Sequence, residues 1–313
     1  MSSAAGDSSL CILIPVFNDW TAASLLIAEL DRALASRGLR AHLLAVNDGS
    51  TDPIVRLVPA EPAGLASLEV LDLRKNLGHQ RAICVGLVYL HQAHPELPVV
   101  VLDADGEDAP GDVVTLLDHF ERNGRRSAIF AARTKRAEGP LFQFFYFLYQ
   151  VLHWILVGFS TRMGNFSVLP PRVVESLVLV PEMWNHYAAC VVKARQPFLT
   201  VPVARAKRLE GRSKLGFTGL AIHGLSAISV YGESVAVRMI VIATLAAIAA
   251  AVALAFGNAP AWLWVATGAV SILALLTVLT FTLLTLSSRA HPAFIPLRDA
   301  PIHIRGLETQ YRR

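Results

Sequence analysis

Asp103 and Asp105 lie two residues apart at the end of a short apolar run, Val99 to Leu102, and Glu107 and Asp108 follow at once. The run is β-branched and bounded by turn residues, which predicts a fully buried strand of a parallel sheet. On a turn after it, both aspartates can converge on one hard divalent cation. Mg2+ or Mn2+ takes a few carboxylates together with phosphate oxygens. An Asp-x-Asp pair alone is a weak signal that also fits an acidic surface loop. Ligands of open α/β sheets bind beyond the carboxyl ends of the strands, so the other strand ends decide.

The strands before it end in polar residues as well. Cys11 to Phe17 reads as a first strand, closed by Asn18-Asp19. Leu26, Leu30 and Leu34 then recur at helical spacing between Trp20 and Ser36. Leu43 to Val46 reads as a second strand and runs into Asn47-Asp48-Gly49-Ser50-Thr51-Asp52. Leu68 to Leu73 reads as a third, ending in Arg74-Lys75-Asn76-Leu77-Gly78-His79, with a helix to follow through His91. After the Val99 strand come a helix, Asp112 to Asn123, and a strand, Ser127 to Ala132. Regular alternation of strand and helix predicts an α/β doubly wound parallel sheet. Gly49 and Gly78 permit close backbone approach, and Arg74 and Lys75 offer positive charge. Together these suit a nucleoside diphosphate with a bound cation. Neither a Gly-x-Gly-x-x-Gly turn after the first strand nor a P-loop is present.

The combination Ile14-Pro15-Val16-Phe17-Asn18, Asn47-Asp48-Gly49-Ser50-Thr51-Asp52, Asn76-Leu77-Gly78, Asp103-Ala104-Asp105 and Arg208-Leu209-Glu210-Gly211-Arg212-Ser213-Lys214 resembles the family-two inverting glycosyltransferases of GT-A fold. Within them it is similar to the polyprenyl-phosphate glycosyltransferases, the group that holds dolichol-phosphate mannose synthase and the bactoprenol glucosyltransferases. The resemblance implies that Pro15 and Asp48 line a nucleotide base pocket. It places Phe17, Asn18, Asn76, Gly78, Asp103 and Ala104 in the same nucleotide site. It implies that Asp103 and Asp105, with Glu107 added to the shell, hold Mg2+ or Mn2+. A UDP-hexose donor follows from the resemblance alone. Two positions depart from the family pattern. Glu107 stands where the family often has Gln, and Gly164-Asn165-Phe166 stands where it often has Gly-Asp-Phe. The second removes a charged group at Asn165.

An acceptor phosphate calls for cations. Arg133 and Arg136 follow the fifth strand, three residues apart. Arg208, Arg212 and Lys214 surround Gly211 with the hydroxyl of Ser213, which reads as an anion clamp. Arg133, Arg136, Arg208, Ser213 and Lys214 are therefore the candidate acceptor-phosphate residues. Asp105 and the four cations among these are the candidate catalytic ones. A lipid phosphate is already an anion, so its attack on the sugar needs no strong base.

The chain has 313 residues, with 54% hydrophobic residues and a mean hydropathy of +0.48, the excess lying toward the C-terminus. Its three cysteines show no pairing or metal spacing, as in a reducing compartment. The start carries no basic segment that would mark a signal peptide. A net charge of +4 argues against nucleic acid and fits an anionic membrane surface. The expected organisation is a GT-A domain over 1–215, an aromatic interfacial helix near 141–159, a second over 216–235, a transmembrane hairpin over 236–287 and a tail over 288–313. Each hairpin segment is long enough to cross about 30 Å of hydrocarbon. The arginines flanking the pair put both termini and the catalytic domain on the cytoplasmic side of the inner membrane. The expected partners are a nucleotide sugar, a polyprenyl phosphate and the membrane, with a homo-oligomer possible in principle. Three rivals stand. A processive polysaccharide synthase would carry Gln-x-x-Arg-Trp, which is absent. Transfer to a glycolipid or protein hydroxyl would need Glu107 or Asp108 as a base. A non-enzymatic membrane subunit would not need three polar strand ends.

Overall fold

The computed structural model describes residues 9–133, 140–158, 163–204, 206–210, 217–255, 261–288 and 294–313. In chain order these form β1 (Leu10–Val16), α1 (Trp20–Ala35), β2 (Ala41–Asn47), β3 (Leu65–Leu73), α2 (His79–Ala93), β4 (Val99–Val101), α3 (Pro110–Arg122), β5 (Ala128–Arg133), α4 (Pro140–Val157) and β6 (Ser167–Leu169). There follow α5 (Pro171–Leu177), α6 (Tyr187–Lys193), β7 (Phe198–Val203), α7 (Phe217–Ser229), α8 (Gly232–Ala255), α9 (Ala261–Ser288), α10 (Pro296–Asp299) and β8 (Ile304–Arg312). The elements divide into two units. One holds residues 1–137, 162–216 and 294–313, and the other holds 138–161 and 217–293.

The first unit is built on one eight-stranded sheet in the order β7-β5-β6-β4-β1-β2-β3-β8. Its centre is parallel: β1 pairs with β2 in register Leu10 to Ala41 and with β4 in register Cys11 to Val99. Every residue of β1 and β4 is buried, which is why both read as continuous apolar runs rather than alternating ones. Two strands correct the expectation of an all-parallel sheet. β6 runs antiparallel to β4 and β5, and β8 runs antiparallel to β3. The residues expected as a tail thus close the sheet edge, with Leu71 opposite Leu307. Helices cover both faces. Leu26, Ile27 and Leu30 of α1 and Leu116 and Phe120 of α3 pack on one, while Ile83, Leu87 and Tyr187 pack on the other. The buried Asp31 carboxylate on α1 accepts from the amides of Ala63, Gly64 and Leu65 and so fixes the entry to β3.

In the second unit α4 leaves Phe147, Leu148 and Trp154 exposed and buries Leu156 and Val157. The segment expected as one interfacial helix over 216–235 is broken: α7 ends at Ser229 and α8 starts at Gly232. Gly232–Ala249 in α8 is long and apolar enough to cross a membrane, by length and composition, with only 17% of it buried. α9 packs along α8, and its Trp264–Leu279 stretch is shorter but apolar among the described residues.

Candidate active site

β4, β1, β2 and β3 are neighbours, so the polar segments that follow them lie side by side beyond one end of the sheet. Asn18 sits just past β1 with φ 54°, a left-handed conformation that Asn tolerates. Its side-chain oxygen accepts from the amides of Thr51 at 2.8 Å and Asp52 at 3.0 Å, tying the first polar segment to the second. Pro15 is buried within β1 and Phe17 is 42% exposed beside Asn18.

Asp48 is buried just past β2. One of its oxygens accepts from the Leu77 amide at 2.6 Å and the other from the Gly78 amide at 2.9 Å. The residue assigned to a base pocket therefore also holds the loop that leads into α2. Burial pushes its carboxyl above the usual range, and the two amides only partly offset this. Gly49 has φ 68°, and a Cβ there would meet the Asn76 nitrogen at 2.5 Å. Only glycine lets these two loops touch. Asn76 is exposed on that loop, and Gly78, φ 91°, begins the turn into α2.

The acidic turn after β4 is closed by its own backbone. The Glu107 amide donates to Asp105 at 3.0 Å, and the Asp103 amide points at the buried Asp108 carboxylate at 3.4 Å. Ala104 between the aspartates is nearly buried. A second segment is laid against this turn. The amide of Ala206 donates to the Glu107 carbonyl and that of Leu209 to the Asp105 carbonyl, each at 3.0 Å. Gly106, φ 77°, leaves the space that the Leu209 side chain fills. This docking aims Arg208 into the turn, where it donates to Asp105 at 2.8 Å and lies 3.8 Å from Asp19. Burial raises the Asp105 carboxyl, the Asp103 and Glu107 charges raise it further, and Arg208 lowers it.

The other flank of Asp103 is a relay of side chains. The Tyr187 amide donates to the Gln80 oxygen at 2.7 Å, and the Gln80 amide donates to the Asn165 oxygen at 3.0 Å. The Asn165 amide lies 2.9 Å from His79 Nε2, and the same nitrogen lies 3.1 Å from Asp103 Oδ1. Desolvation lowers the His79 imidazole, but Asp103 first, then Asp48 and Asp105, bring it above its ordinary value.

The structure thus brings together Asn18, Asp48, Asn76, Gly78, Asp103, Ala104, Asp105 and Arg208. It does not gather the three expected metal carboxylates. Among the described residues no three His, Cys, Asp or Glu side chains converge closely enough to hold an ion. The reason is local: Arg208 draws one Asp105 oxygen and the Glu107 amide the other, which leaves Glu107 engaged through its backbone. Arg133 ends β5. Arg136, Ser213 and Lys214 lie outside the described residues. Sequence reasoning missed Asp19, His79 and Gln80. His79 and Gln80 follow Gly78 directly, so the helix start was a signal for them.

An eight-stranded mixed sheet with helices on both faces and polar turns beyond its central strands makes a GT-A-like α/β fold. The model of glycosyl transferase family 2 matches residues 11–167, and the chain belongs to that family. It is 30% identical over 224 residues to a dodecaprenyl-phosphate galacturonate synthase of Rhizobium johnstonii, covering 67% of this chain and 62% of that protein. It is 24% identical over 208 residues to the uncharacterised glycosyltransferase YkcC of Bacillus subtilis, covering 65% of this chain and 62% of that one. Each alignment therefore spans under two thirds of the relative. Among solved structures, the glucosyl-3-phosphoglycerate synthase of Mycobacterium tuberculosis, in complex with Mn2+, UDP and glucosyl-3-phosphoglycerate, superposes with a TM-score of 0.50 at 14% identity, over 74% of this chain and 82% of that one.

Proposed function

We propose that this protein transfers a hexose from a nucleotide sugar, a UDP-hexose, to a polyprenyl phosphate at the cytoplasmic face of a membrane, with inversion at the sugar carbon. The observation that carries this is Arg208 held on Asp105 at 2.8 Å by backbone pairing of its segment to the acidic turn. A site for one negative diphosphate and one negative acceptor needs carboxylates for a cation and a movable cation for phosphate, side by side. The relative named for a dodecaprenyl phosphate supports the acceptor class.

A divalent ion would rest on two carboxylates here rather than on the expected three. Asp103 and Asp105 supply hard oxygen donors, and the Asp103 charge helps to raise the Asp105 carboxyl, which a cation relieves. Arg208 marks the place where positive charge is wanted. When bound, Mg2+ or Mn2+ would neutralise the leaving diphosphate. Arg208, with Ser213 and Lys214 a few residues on in the sequence and with Arg133 and Arg136, would hold the acceptor phosphate against the sugar. A hydroxyl acceptor is less well served, since Asp108 is 3% exposed and turned to the Asp103 amide.

Chain connectivity supports a membrane hairpin. Residues 162–216 and 294–313 belong to one unit and the helices between them to the other. A chain that leaves one soluble unit and returns to it crosses a membrane an even number of times. α8 and α9, 24 and 28 residues long, make the pair. α4, flanked on both sides by the first unit, cannot cross once, so it lies in the interface with its exposed aromatics. The arginines at 238 and 289 then face the cytoplasm.

The test is incubation of membranes with labelled UDP-hexoses and a polyprenyl phosphate, followed by lipid extraction. An acid-labile lipid-phosphate sugar is expected. A growing polymer, or no labelled lipid with any donor, refutes the reading.

A further inference from the structure

We propose that the Arg238 guanidinium, seated where α4 ends against α8, binds the phosphate of an anionic phospholipid of the cytoplasmic leaflet. The inference rests on the membrane placement proposed above and names a lipid headgroup other than the acceptor.

The seat is made by a glycine. Gly158 closes the last turn of α4, its amide donating to the Trp154 carbonyl at 2.8 Å. Its φ is 96°, a conformation that favours glycine. A Cβ on Gly158 would collide with the Arg238 guanidinium, whose Cζ would stand 2.6 Å away. The missing side chain is therefore the space in which the cation lies. The carbonyl end of α4 favours a cation at this place, but a helix end carries only about half a charge. Glu233 is the one acid of α8 and lies five residues earlier, off the i,i+3 and i,i+4 positions that pair on a helix. Among the described residues Arg238 forms no ion pair and donates no hydrogen bond. An exposed guanidinium is thus held in one place with most of its charge unmatched.

Its surroundings set its depth. Val241 and Ile242, the i+3 and i+4 neighbours of Arg238, are exposed, as are Trp154 and Ile155 on α4. Beyond Arg238, α8 runs from Met239 to Ala255 without a charge, a rise of about 25 Å. That covers most of the roughly 30 Å of hydrocarbon, so Arg238 stands at its boundary, where tryptophan is also enriched. Lipid phosphates lie at this level. The guanidinium fork matches two phosphate oxygens at once. One guanidinium also matches the single charge of a phosphodiester, whereas the acceptor phosphate is assigned several cations above. A lipid that carries an ammonium of its own competes with Arg238 for its phosphate, so the site prefers an anionic headgroup.

The experiment needs no turnover. The full chain is reconstituted in phosphatidylcholine vesicles with a minority of phosphatidylglycerol and then extracted in detergent. The phospholipids that stay bound are identified by native mass spectrometry. Phosphatidylglycerol should be enriched over its share of the bilayer. Arg238→Gln should lower its retention by about fivefold or more. Arg238→Lys, which keeps the charge, should retain most of it. Insertion is scored separately, by resistance to alkaline extraction. An inserted wild-type chain without this enrichment, or equal enrichment in inserted Arg238→Gln, overturns the proposal and leaves the membrane reading intact. Displacement of phosphatidylglycerol by polyprenyl phosphate at equal mole fraction also overturns it, because Arg238 would then serve the acceptor. Release of the wild-type chain by alkali overturns the membrane reading, and this proposal with it.

Discussion

Asp48→Asn changes one oxygen to an NH2 and nothing in size. In the native chain the two Asp48 oxygens serve the Leu77 and Gly78 amides separately, at 2.6 and 2.9 Å, in a side chain only 3% exposed. Burial raises the Asp48 carboxyl despite those amides, so the charge itself adds little to stability. The cost of substitution comes from the partners left behind. Asparagine keeps one acceptor and turns a donor on the other amide, which leaves one buried N–H unsatisfied at about 1–3 kcal/mol. Asp48→Ala leaves two, for roughly twice that. At about 2 kcal/mol, Asp48→Asn should lower the Tm by about 4–8 °C in a unit of this size. The loop it frees carries Asn76 and Gly78 into the nucleotide site, so UDP affinity, read by titration calorimetry, should fall by about tenfold or more, the loss for a little over 1 kcal/mol of misplacement. Asp52→Asn, exposed on the same segment, is the control and should change stability by less than about 0.5 kcal/mol. If Asp48→Asn and Asp48→Ala both match wild type in Tm and UDP affinity, the carboxylate does not hold the loop and the reasoning fails.

Arg208→Ala should fold normally and lose on the order of a hundredfold in kcat, with a smaller change in KM for the donor. An unchanged kcat in initial-rate kinetics would remove Arg208 from phosphate work. Lys214→Ala should behave in the same way, with insertion into the membrane unaffected. Acid should destabilise the first unit through His42, which burial and then the stacked His94 hold down at about 4, against the upward pull of Glu69. An unfolded histidine titrates near 6.5, so the unfolded chain binds more protons between those values. Stability is then whole above about pH 6.5 and falls as the pH drops toward 4. Tm measured against pH should show this slope, and His42→Asn should flatten it. Single cysteines placed at Ser2 and Arg313 should both resist an impermeant thiol reagent in intact cells, and labelling of either contradicts the hairpin.

The centre of the fold was legible because parallel strands buried on both faces write themselves as apolar runs. β1 and β4 are such runs. β6 and β8 were not legible, for a different reason. β6 is three residues long, too short for any period. β8 reads Ile-Arg-Gly-Leu-Glu-Thr-Gln-Tyr-Arg, an edge strand largely exposed, and polar edges carry no burial pattern. Its partner β3 lies more than two hundred residues earlier, where no local spacing can point. The same distinction divides the site. Asp103 and Asp105 stood out as chemistry on one short turn. The relay from Tyr187 through Gln80 and Asn165 to His79 joins separate elements, and only the fold shows it.

The misread tail changes the functional argument more than any other correction. As a tail, residues 294–313 would say nothing about where the membrane lies. As β8, paired with β3 from Ile304 to Arg312, they bind the far end of the chain to the unit that holds Asp48 and Asp105. The helices between Phe217 and Ser288 are thereby a closed excursion. On the membrane reading proposed above, one crossing would strand β8 on the wrong side of the bilayer from β3. Pairing of β8 therefore acts as a topological constraint. Charges placed in β8 to break it, such as Leu307→Asp opposite Leu71, should loosen the sheet edge without touching the spans. Insertion should stay intact while the Tm of the first unit falls. Loss of insertion along with β8 pairing would mean that the strand directs the membrane helices rather than following them.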